Sequence, residues 1–444
     1  MKRSNSGRGI LFALGILVSA ICQLQAQVTK QELPKNAASS ADELKFVVIV
    51  SRHGVRSPTG KLDQLNHYSL QPWPVWRVPP GYLTEHGAEL MTLMGAYHRE
   101  LLANEGLLAP KGCSDVLHIR ILADSDQRTR ETGRSLVAGL APGCNIEVAA
   151  LPEGTADPLF HSLAAGIGSP DRMLATVAVS GRIGGNPQGL TEAYRTQFEV
   201  LQEVLHTCSQ GANCSTEAPA SLFDIPASIA PGKGDHLVDL RTPLGLAATM
   251  TENLLLAYAD GMDAKNVGWG SVDAGKLREL LQLHTASEDI VQHTGYIARA
   301  QSSNLLFHTL QSMVQAVEGH AVAGSLIKPE DRLLLLVGHD TNIASIAGAL
   351  GLSWLVDGRR DDTPPGGALM FELWKKAGSS EYSVRTFYVA QTLDQMRNRS
   401  PLSLASPPER VPVFVPGCGR ADGSCDWSSF QKAINAGIDP AFIK

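Results

Sequence analysis

The segment "KFVVIVSRHGVRSPT", Lys45 to Thr59, suggests both a fold and a site. Its first half is a continuous run of apolar, largely β-branched residues, which predicts a strand over 45–51 buried on both faces. Its second half places Arg52, His53 and Arg56 within five positions. Burying that much positive charge is costly unless an anion occupies the place. The segment therefore predicts a strand whose carboxyl end carries an anion site.

The composition is that of a globular protein with a substantial core. The chain has 444 residues, of which 43% are hydrophobic and 18% are charged, enough for two domains or one large domain with an insertion. The formal net charge is −6, and no basic patch or stripe stands out. A nucleic-acid-binding role is therefore not indicated, and any anion site must be a local concentration of positive charge.

The first 26 residues have the pattern of a secretory signal. Lys2, Arg3 and Arg8 precede the apolar run "GILFALGILVSAI", and a small residue follows at Ala26. This pattern predicts cleavage after Ala26 and export to the periplasm or the medium. The alternative, a membrane anchor, needs roughly 20 apolar residues, and this run is shorter.

The cysteines fit an exported protein. Cys22 leaves with the signal, and six remain, an even number that suggests disulfides but permits 15 pairings. The nearest-neighbour scheme closes two short loops and one of moderate length. It pairs Cys113 with Cys144, Cys208 with Cys214, and Cys418 with Cys425. A zinc site is the weaker alternative, because the chain has no C-x-x-C pair.

Two further segments repeat the strand-then-polar pattern of the first. In "VLHIRILADSDQRTRETGRSLVAGLA" the apolar residues 116–122 predict a strand. Asp124 or Ser125 is the expected cap of the helix that follows, with Glu131 in an early turn. In open α/β sheets, ligands bind beyond the carboxyl ends of the strands.

The third segment is "DRLLLLVGHDTNIASIAGALGL". Residues 333–337 predict a short buried strand, followed by His339 and Asp340 and then by an alanine-rich helical pattern. If the three strands are parallel and adjacent, their polar loops meet at one cleft. Each piece also has an ordinary structural interpretation, since Asp340 could cap a helix starting near Thr341, and Arg128 could lie on a solvated helix face.

The combination resembles a known family. "RHGVRSPT" with the distant "GHDTNI" is similar to the histidine acid phosphatases, also called branch-two histidine phosphatases. The likeness extends through "WPVW", "YLTEHGAEL", "ADSDQRTRETG", "AGLAPGC", "VGWG", "TPPGGALMFE" and "QTLDQMRNRSPLSL". Within the family the chain looks most like bacterial periplasmic phytases and acid phosphatases.

The resemblance implies a role for each site residue. His53 would be the nucleophile that accepts the phosphoryl group, and Asp340 would protonate the leaving alkoxide and then help water attack the phosphoenzyme. The phosphate oxygens would be held by Arg52, Arg56, Arg128 and His339. Further substrate contacts would come from Thr59, Asp124, Glu252 and His284.

These residue types suit phosphoryl transfer without a metal. A neutral imidazole attacks phosphorus, and planar guanidiniums grip phosphate with two donors each. A carboxylic acid works when the medium is acidic or when a bound phosphate raises its pKa, so an acidic optimum is expected. We expect no cofactor and no metal, because no metal-ligand spacing such as H-E-x-x-H occurs.

The expected architecture is an α/β fold, a mainly parallel sheet flanked by helices as in the phosphoglycerate mutases. An α/β domain would comprise 27–150 and 285–444. A smaller, mostly helical domain would be inserted at 151–284, where "TPLGLAATMTENLLLAYADGM" has helical periodicity. Past the signal, no apolar run is long enough to span a membrane.

The expected function is hydrolysis of phosphomonoesters, including phytate, outside the cytoplasm by a monomer. A sugar phosphatase such as glucose-1-phosphatase is the alternative enzyme, although such relatives tend to carry Ser where Thr341 follows the H-D pair. Phosphoglycerate mutases share R-H-G without this H-D context. A non-catalytic periplasmic binder of phosphorylated ligands is the alternative from another class, but a binder needs neither the His53 nucleophile nor the Asp340 acid.

Overall fold

The computed structural model describes residues 42–209 and 214–444. The predicted signal peptide and its cleavage site after Ala26 lie outside the described residues. Within the described ranges, no helix is both long and apolar enough to cross a membrane.

One eight-stranded sheet forms the centre of the fold, in the order β11-β10-β9-β1-β6-β2-β3, with β12 also paired to β10. Two small hairpins, β4-β5 and β7-β8, lie outside it. The strands are β1 Glu43–Arg52, β2 Ile119–Ala123, β3 Val148–Ala149, β4 Ser228–Pro231, β5 Val238–Arg241, β6 Leu333–Gly338, β7 Leu355–Val356, β8 Arg359–Arg360, β9 Ala368–Lys375, β10 Tyr382–Ala390, β11 Glu409–Pro412 and β12 Ser424–Asp426.

Helices surround the sheet and build the segment between β3 and β6. The α-helices are α1 Leu62–Leu65, α2 Glu85–Asn104, α3 Gln127–Leu140, α4 Arg172–Arg182, α5 Gly189–Ala193, α6 Arg195–Leu205, α7 Pro243–Ala259, α8 Ala274–Gln292, α9 Gly295–Glu318, α10 Asp340–Leu350, α11 Leu393–Asn398 and α12 Trp427–Gly437.

The sheet is parallel on one side and antiparallel on the other. β1 pairs in parallel with β6, β6 with β2, and β2 with β3. β9, β10, β11 and β12 add to the other side of β1 in antiparallel fashion. The three strands predicted from the sequence are thus adjacent and parallel, as the cleft requires. The second begins at Ile119 rather than at 116, because 116–118 form a single 3₁₀ turn.

The apolar run of β1 reflects burial on both faces of the sheet. Phe46, Val48 and Val50 join the core on the side of α9, α10 and α12. Val47 and Ile49 join the core on the side of α2 and α3. Because successive strand residues point to opposite faces, both sets must be apolar. The predicted fold class is confirmed, with an antiparallel half added to the parallel centre.

The segment predicted as an inserted helical domain packs around a second hydrophobic cluster, which also takes in residues outside 151–284 such as Leu90 and Ile297. Residues of α4, α6, α7 and α8 form a cluster that includes Phe198, Leu201 and Leu256. The periodic stretch predicted as a helix is α7, which Thr242 caps by accepting from the amide of Gly245. The boundaries at 150 and 284 stay predictions, and α8 runs continuously across position 284.

The helix cap predicted after β2 is wrong. Helix α3 begins at Gln127 with Asp126 at the N-cap position. The carboxylate of Asp124 instead bonds to two histidines, and the hydroxyl of Ser125 donates to the carbonyl of Thr155. Both candidate caps are therefore occupied by tertiary partners.

The disulfides follow the nearest-neighbour scheme. Cys113 bonds to Cys144, Cys208 to Cys214, and Cys418 to Cys425. The first bond closes a loop that contains β2 and α3, and so contains Asp124, which follows β2, and Arg128, which lies in the first turn of α3.

Candidate active site

The loops that follow β1, β2 and β6 meet at one edge of the sheet. Arg52 stands beside Gly338 in the register of β1 and β6, and Ala123 stands beside Val337 in that of β2 and β6. We call residues 52–59, 124–128 and 339–342 the floor of the site. Above the floor lies a pocket of about 310 Å³, within the range of small-molecule sites. The predicted residues that line it are His53, Arg56, Thr59, Arg128, His339 and Asp340.

His53 is held in the form that a nucleophile requires. Its side chain is 1% exposed, and its Nδ1 lies 2.8 Å from the carbonyl oxygen of Gly54. Because a carbonyl can only accept, Nδ1 carries the proton and Nε2 keeps its lone pair. Burial and the nearby guanidiniums of Arg128, Arg52 and Arg56 hold the pKa of His53 well below its ordinary value. The neutral imidazole is therefore favoured at pH values where a free histidine would be protonated.

The glycine of the R-H-G motif has a packing reason. A β-carbon on Gly54 would lie 2.8 Å from Cγ of Met91 and 3.1 Å from the carbonyl oxygen of Gly87 on α2. Its amide donates to Oγ1 of Thr132 on α3. Helices from the same face of the sheet thus hold the backbone beside His53, and only glycine fits between them.

The buried charge of the motif is balanced by carboxylates of the protein. The fully buried Arg52 lies 2.5 Å from Glu252 and 2.8 Å from Asp340, and it donates to the carbonyl of Thr363 at 2.6 Å. Arg56 lies 3.0 Å from the same oxygen of Glu252. The cost of burying two guanidiniums is therefore offset by carboxylates of the protein itself.

Asp340 is ionised in this state. Burial by itself raises its pKa, but the guanidiniums of Arg52 and Arg56 outweigh burial and hold the pKa below its usual range. One oxygen also accepts from the amide of Thr341 at 2.8 Å, which is the contact of a helix start. The cap position itself belongs to His339, whose backbone amide donates to Asn342 at 2.9 Å.

His339 and Arg128 form the opposite side of the floor. Nε2 of His339 lies 2.7 Å from the buried carboxylate of Asp124, so that nitrogen carries a proton and Nδ1 is left with a lone pair. The guanidinium of Arg128 approaches Nδ1 at 3.3 Å and pairs with Asp126 at 2.6 Å. Burial lowers the pKa of His339, and Arg128 lowers it further against the attraction of Asp124. These effects together favour the neutral form of His339 relative to a free histidine.

The four predicted substrate contacts occupy different places. Thr59 is exposed and lines the pocket. Asp124 and Glu252 lie beneath it, paired with His339 and with the two arginines. His284 on α8 lines a separate small cavity together with Glu288 and Thr363. The last three are thus placed to support the charged groups of the floor, and their roles stay predictions.

Two side chains that face the pocket were missed by the sequence analysis. His161 and Asp235 come from segment 157–167 and from 232–237, the turn between β4 and β5; we call these two segments the wall. Nδ1 of His161 lies 2.8 Å from Asp235, and its Nε2 lies 3.3 Å from Asp124. Neither segment has a periodic pattern or a motif that marks it. A lone histidine in an irregular stretch gives little signal.

The only group of metal-ligand side chains found among residues 42–209 and 214–444 belongs to this network. One ligand atom each of Asp124, Asp126, His161 and His339 lies within 4.8 Å of the others. Asp126 already pairs with Arg128, whose guanidinium lies 3.3 Å from His339. A divalent cation would meet that positive charge, so the electrostatics favour the ion pairs over a bound metal.

Relatives of known sequence cover nearly the whole chain. Phytase AppA of Escherichia coli (strain K12) is 37% identical over 425 residues, which are 92% of this chain and 96% of that protein. Glucose-1-phosphatase of Providencia rettgeri is 29% identical over 407 residues, 89% of this chain and 92% of that protein.

Solved structures show the same fold. The apo form of the Hafnia alvei phytase has a TM-score of 0.82 at 36% identity and covers 92% of this chain and 100% of its own. The Citrobacter braakii phytase has a TM-score of 0.80 at 35% identity, with coverages of 90% and 99%.

The two ranges matched by the family model contain all three segments of the floor. The histidine phosphatase superfamily (branch 2) matches residues 43–180 and 258–389, ranges that contain every residue of the floor. The enzyme class predicted from the sequence, a phosphoric monoester hydrolase, is confirmed by this match and by the relatives. The chain belongs to branch 2 of the histidine phosphatase superfamily.

Proposed function

We propose that the protein hydrolyses phosphomonoesters, with phytate among its substrates, through a phosphohistidine on His53. The observation that carries the proposal is the hydrogen bond from Nδ1 of His53 to Gly54, which leaves the Nε2 lone pair available in a pocket with Arg56 and Arg128. Covalent catalysis needs a nucleophile that is unprotonated at working pH. Similarity to two phytases at 35–36% identity supports the substrate class.

The first step forms a bond from Nε2 of His53 to phosphorus and breaks the bond from phosphorus to the ester oxygen. Arg52, Arg56 and Arg128 stabilise the charge on the three other oxygens. His339 joins them once it takes a proton on Nδ1, which the charge of the phosphate favours by raising its pKa. Nε2 of His339 stays bonded to Asp124 throughout.

Asp340 transfers the proton in both steps. A phosphate group that pairs with Arg52 and Arg56 weakens their hold on Asp340 and adds negative charge beside it, and both effects raise the pKa of Asp340. The protonated acid gives its proton to the leaving alkoxide. In the second step water attacks the phosphohistidine, the phosphorus–nitrogen bond breaks, and the water proton passes to Asp340. Since Asp340 must be protonated at the start, activity is expected to fall as pH rises.

The experiment that tests the proposal is phosphate release by purified protein from phytate, glycerol phosphate and glucose-1-phosphate between about pH 3 and 8. We expect release from phytate with an acidic optimum. A preference for glucose-1-phosphate over phytate would replace the phytase assignment by the sugar-phosphatase alternative, which the 29% identical glucose-1-phosphatase represents. No release from any ester would favour the non-catalytic binder.

We also propose that the protein acts outside the cytoplasm as a monomer. Three disulfides support the location, because such bonds persist in oxidising compartments. The basic and apolar residues 1–26 support it as well. Fractionation of cells and the mass of the native protein in solution test the two statements separately.

A further inference from the structure

His161 joins the wall of the pocket to the floor. Its ring bridges two carboxylates, with Nδ1 2.8 Å from Asp235 and Nε2 3.3 Å from Asp124. Its centroid lies 5.0 Å from that of His339. Nε2 of His339 and Nε2 of His161 both contact the same oxygen of Asp124, Oδ2. One buried carboxylate oxygen is therefore shared between a histidine of the floor and a histidine of the wall.

We propose that His161 is a positioning residue of the reaction: by bridging Asp235 and Asp124 it fixes the carboxylate that orients His339 toward the phosphoryl group. The inference rests on the proposed function, and it adds a residue to that mechanism rather than a new reaction. His161 is not a donor to the substrate in this arrangement, since both of its ring nitrogens face carboxylates.

The bridge needs both ring protons, and the electrostatics supply them. Burial alone lowers the pKa of His161, but the hydrogen bonds to Asp124 and Asp235 outweigh it and raise the pKa to about 10. The imidazolium therefore persists through the acid and neutral range. Asp124 is fully buried, and its hydrogen bonds from the two histidines outweigh burial and keep its pKa below the usual range. A buried carboxylate between two imidazoles has little freedom to rotate.

Hydrogen bonds hold the two segments of the wall in place around His161. The backbone amide of Ala164 donates to the carboxylate of Asp235 at 2.7 Å. The side-chain amide of Gln301 on α9 donates to the backbone carbonyl of Asp235 at 2.8 Å. The amide of Asn342 on α10 donates to the carbonyl of Phe160 at 2.8 Å. The turn that carries Asp235 is thus tied to α9, and the segment that carries His161 is tied to α10.

The charge of His161 determines the direction in which it shifts the pKa of His339. Because His161 is a cation, it opposes protonation of His339, whereas Asp124 favours it. Removing the cation takes away one of the two charges that oppose protonation of His339, the other being Arg128, and we expect the pKa of His339 to rise. The other charged groups that act on the two histidines or on Asp124 are Asp126, Arg128, Asp157, Asp235 and Asp340.

The decisive variants are His161→Leu and His161→Gln. Leucine removes both donors, whereas the glutamine amide can still donate to Asp124. We expect His161→Leu to lower kcat/KM on phytate by roughly 10- to 100-fold, the range for outer partners that orient functional histidines. His161→Gln should recover part of that loss. A control is Arg172→Met, since the hydrogen bonds of Arg172 to residues that the structure describes go to the backbone carbonyls of Gly234 and His236, in the same turn as Asp235.

Titration of ¹⁵N-labelled histidines gives a measurement that does not depend on turnover. We expect the midpoint of His339, assigned with a His339→Asn variant, to move to higher pH in His161→Leu and to stay unchanged in Arg172→Met. If the Leu variant does not fold, Asp235→Asn serves instead: the midpoint of His161 should fall from about 10 because one partner has lost its charge.

Two results would overturn the inference. One is an unchanged His339 midpoint and tautomer in His161→Leu, and the other is an activity loss no greater than that of Arg172→Met. An unchanged His161 midpoint in Asp235→Asn counts against it equally. Absence of phosphate release by the wild type would overturn the proposed function instead, while the titrations would still decide whether the bridge exists.

Discussion

The base of the floor, at Arg52 and Asp124, is fully buried, whereas the His161–Asp235 pair of the wall is partly open to water. The side chains of Arg52 and Asp124 are 0% exposed, and those of His161 and Asp235 are 32% and 27% exposed. Charges near water are screened, so each contributes less than the same charge in the interior. An ion pair of the same residue types is therefore expected to be weaker in the wall than at the base of the floor. We expect substitutions of the groups that act on the phosphoryl group or the leaving oxygen to cost more in rate than substitutions in the wall.

The largest expected effect is that of the nucleophile. His53→Ala removes the atom that forms the covalent intermediate, so turnover should fall by about 10⁴-fold or more. A ³²P label trapped by acid-free quenching on the wild type should be missing from the variant. The exposed His320→Ala serves as the control. Substantial remaining turnover would show that another group attacks phosphorus.

The next effect depends on the leaving group and tests Asp340. General acid catalysis contributes about 10²–10⁴-fold, so Asp340→Asn should lose that much on phytate or glycerol phosphate, whose alkoxides need a proton. A nitrophenolate leaves almost unaided, and the loss on an aryl phosphate should be far smaller. Rates on both esters at a pH where the wild type is active provide the comparison. Equal losses would leave the contact from the amide of Thr341 as the role of this side chain.

Arg128→Ala tests whether this arginine stabilises charge on the phosphoryl group that is transferred. Losing one donor to developing charge costs roughly 10²–10³-fold, and here the loss should be similar for alkyl and aryl esters because the same phosphoryl group is held. Arg130→Ala is the matched control, because Arg130 lies two residues further along α3 and makes only a 3.9 Å contact to Glu153 among the described ion pairs. A loss that changes with the leaving group would contradict the assignment.

The smallest expected effect lies where floor and wall meet. Asn342 accepts from the amide of His339 and donates to the carbonyl of Phe160, so Asn342→Ala leaves two buried polar groups without that partner. The free energy of unfolding should fall by about 1–3 kcal/mol, measured by urea denaturation. The exposed Asn398→Ala should change it by less than about 0.5 kcal/mol. Equal stability of the two variants would mean that water or another group replaces Asn342.

The floor could be predicted from the sequence because each of its segments follows a buried strand. His53, Asp124 and His339 stand within two residues of the ends of β1, β2 and β6, and the carboxyl ends of parallel strands share one edge. What periodicity could not give is the pairing of side chains. Asp124 has the residue type of a helix cap, and only the approach of two histidines from distant segments assigns it elsewhere.

The wall could not be predicted for a related reason. His161 and Asp235 are 74 positions apart, and both lie in irregular chain where no pattern of apolar residues fixes their direction. Their meeting depends on tertiary anchors such as the bond from Gln301 on α9 to the backbone of Asp235. Gly338 shows how tightly the two sides approach, because a β-carbon there would lie 2.7 Å from the ring of Phe160.

The carboxylates paired with Arg52 and Arg56 also affect the release of inorganic phosphate, the last step of the reaction. Since Glu252 and Asp340 already pair with these guanidiniums, inorganic phosphate entering the pocket exchanges one set of ion pairs for another instead of gaining them outright. We therefore expect the net affinity for the released product to be modest. The same pairs can re-form as product departs, and we expect the resident anions to shorten the time that phosphate stays bound.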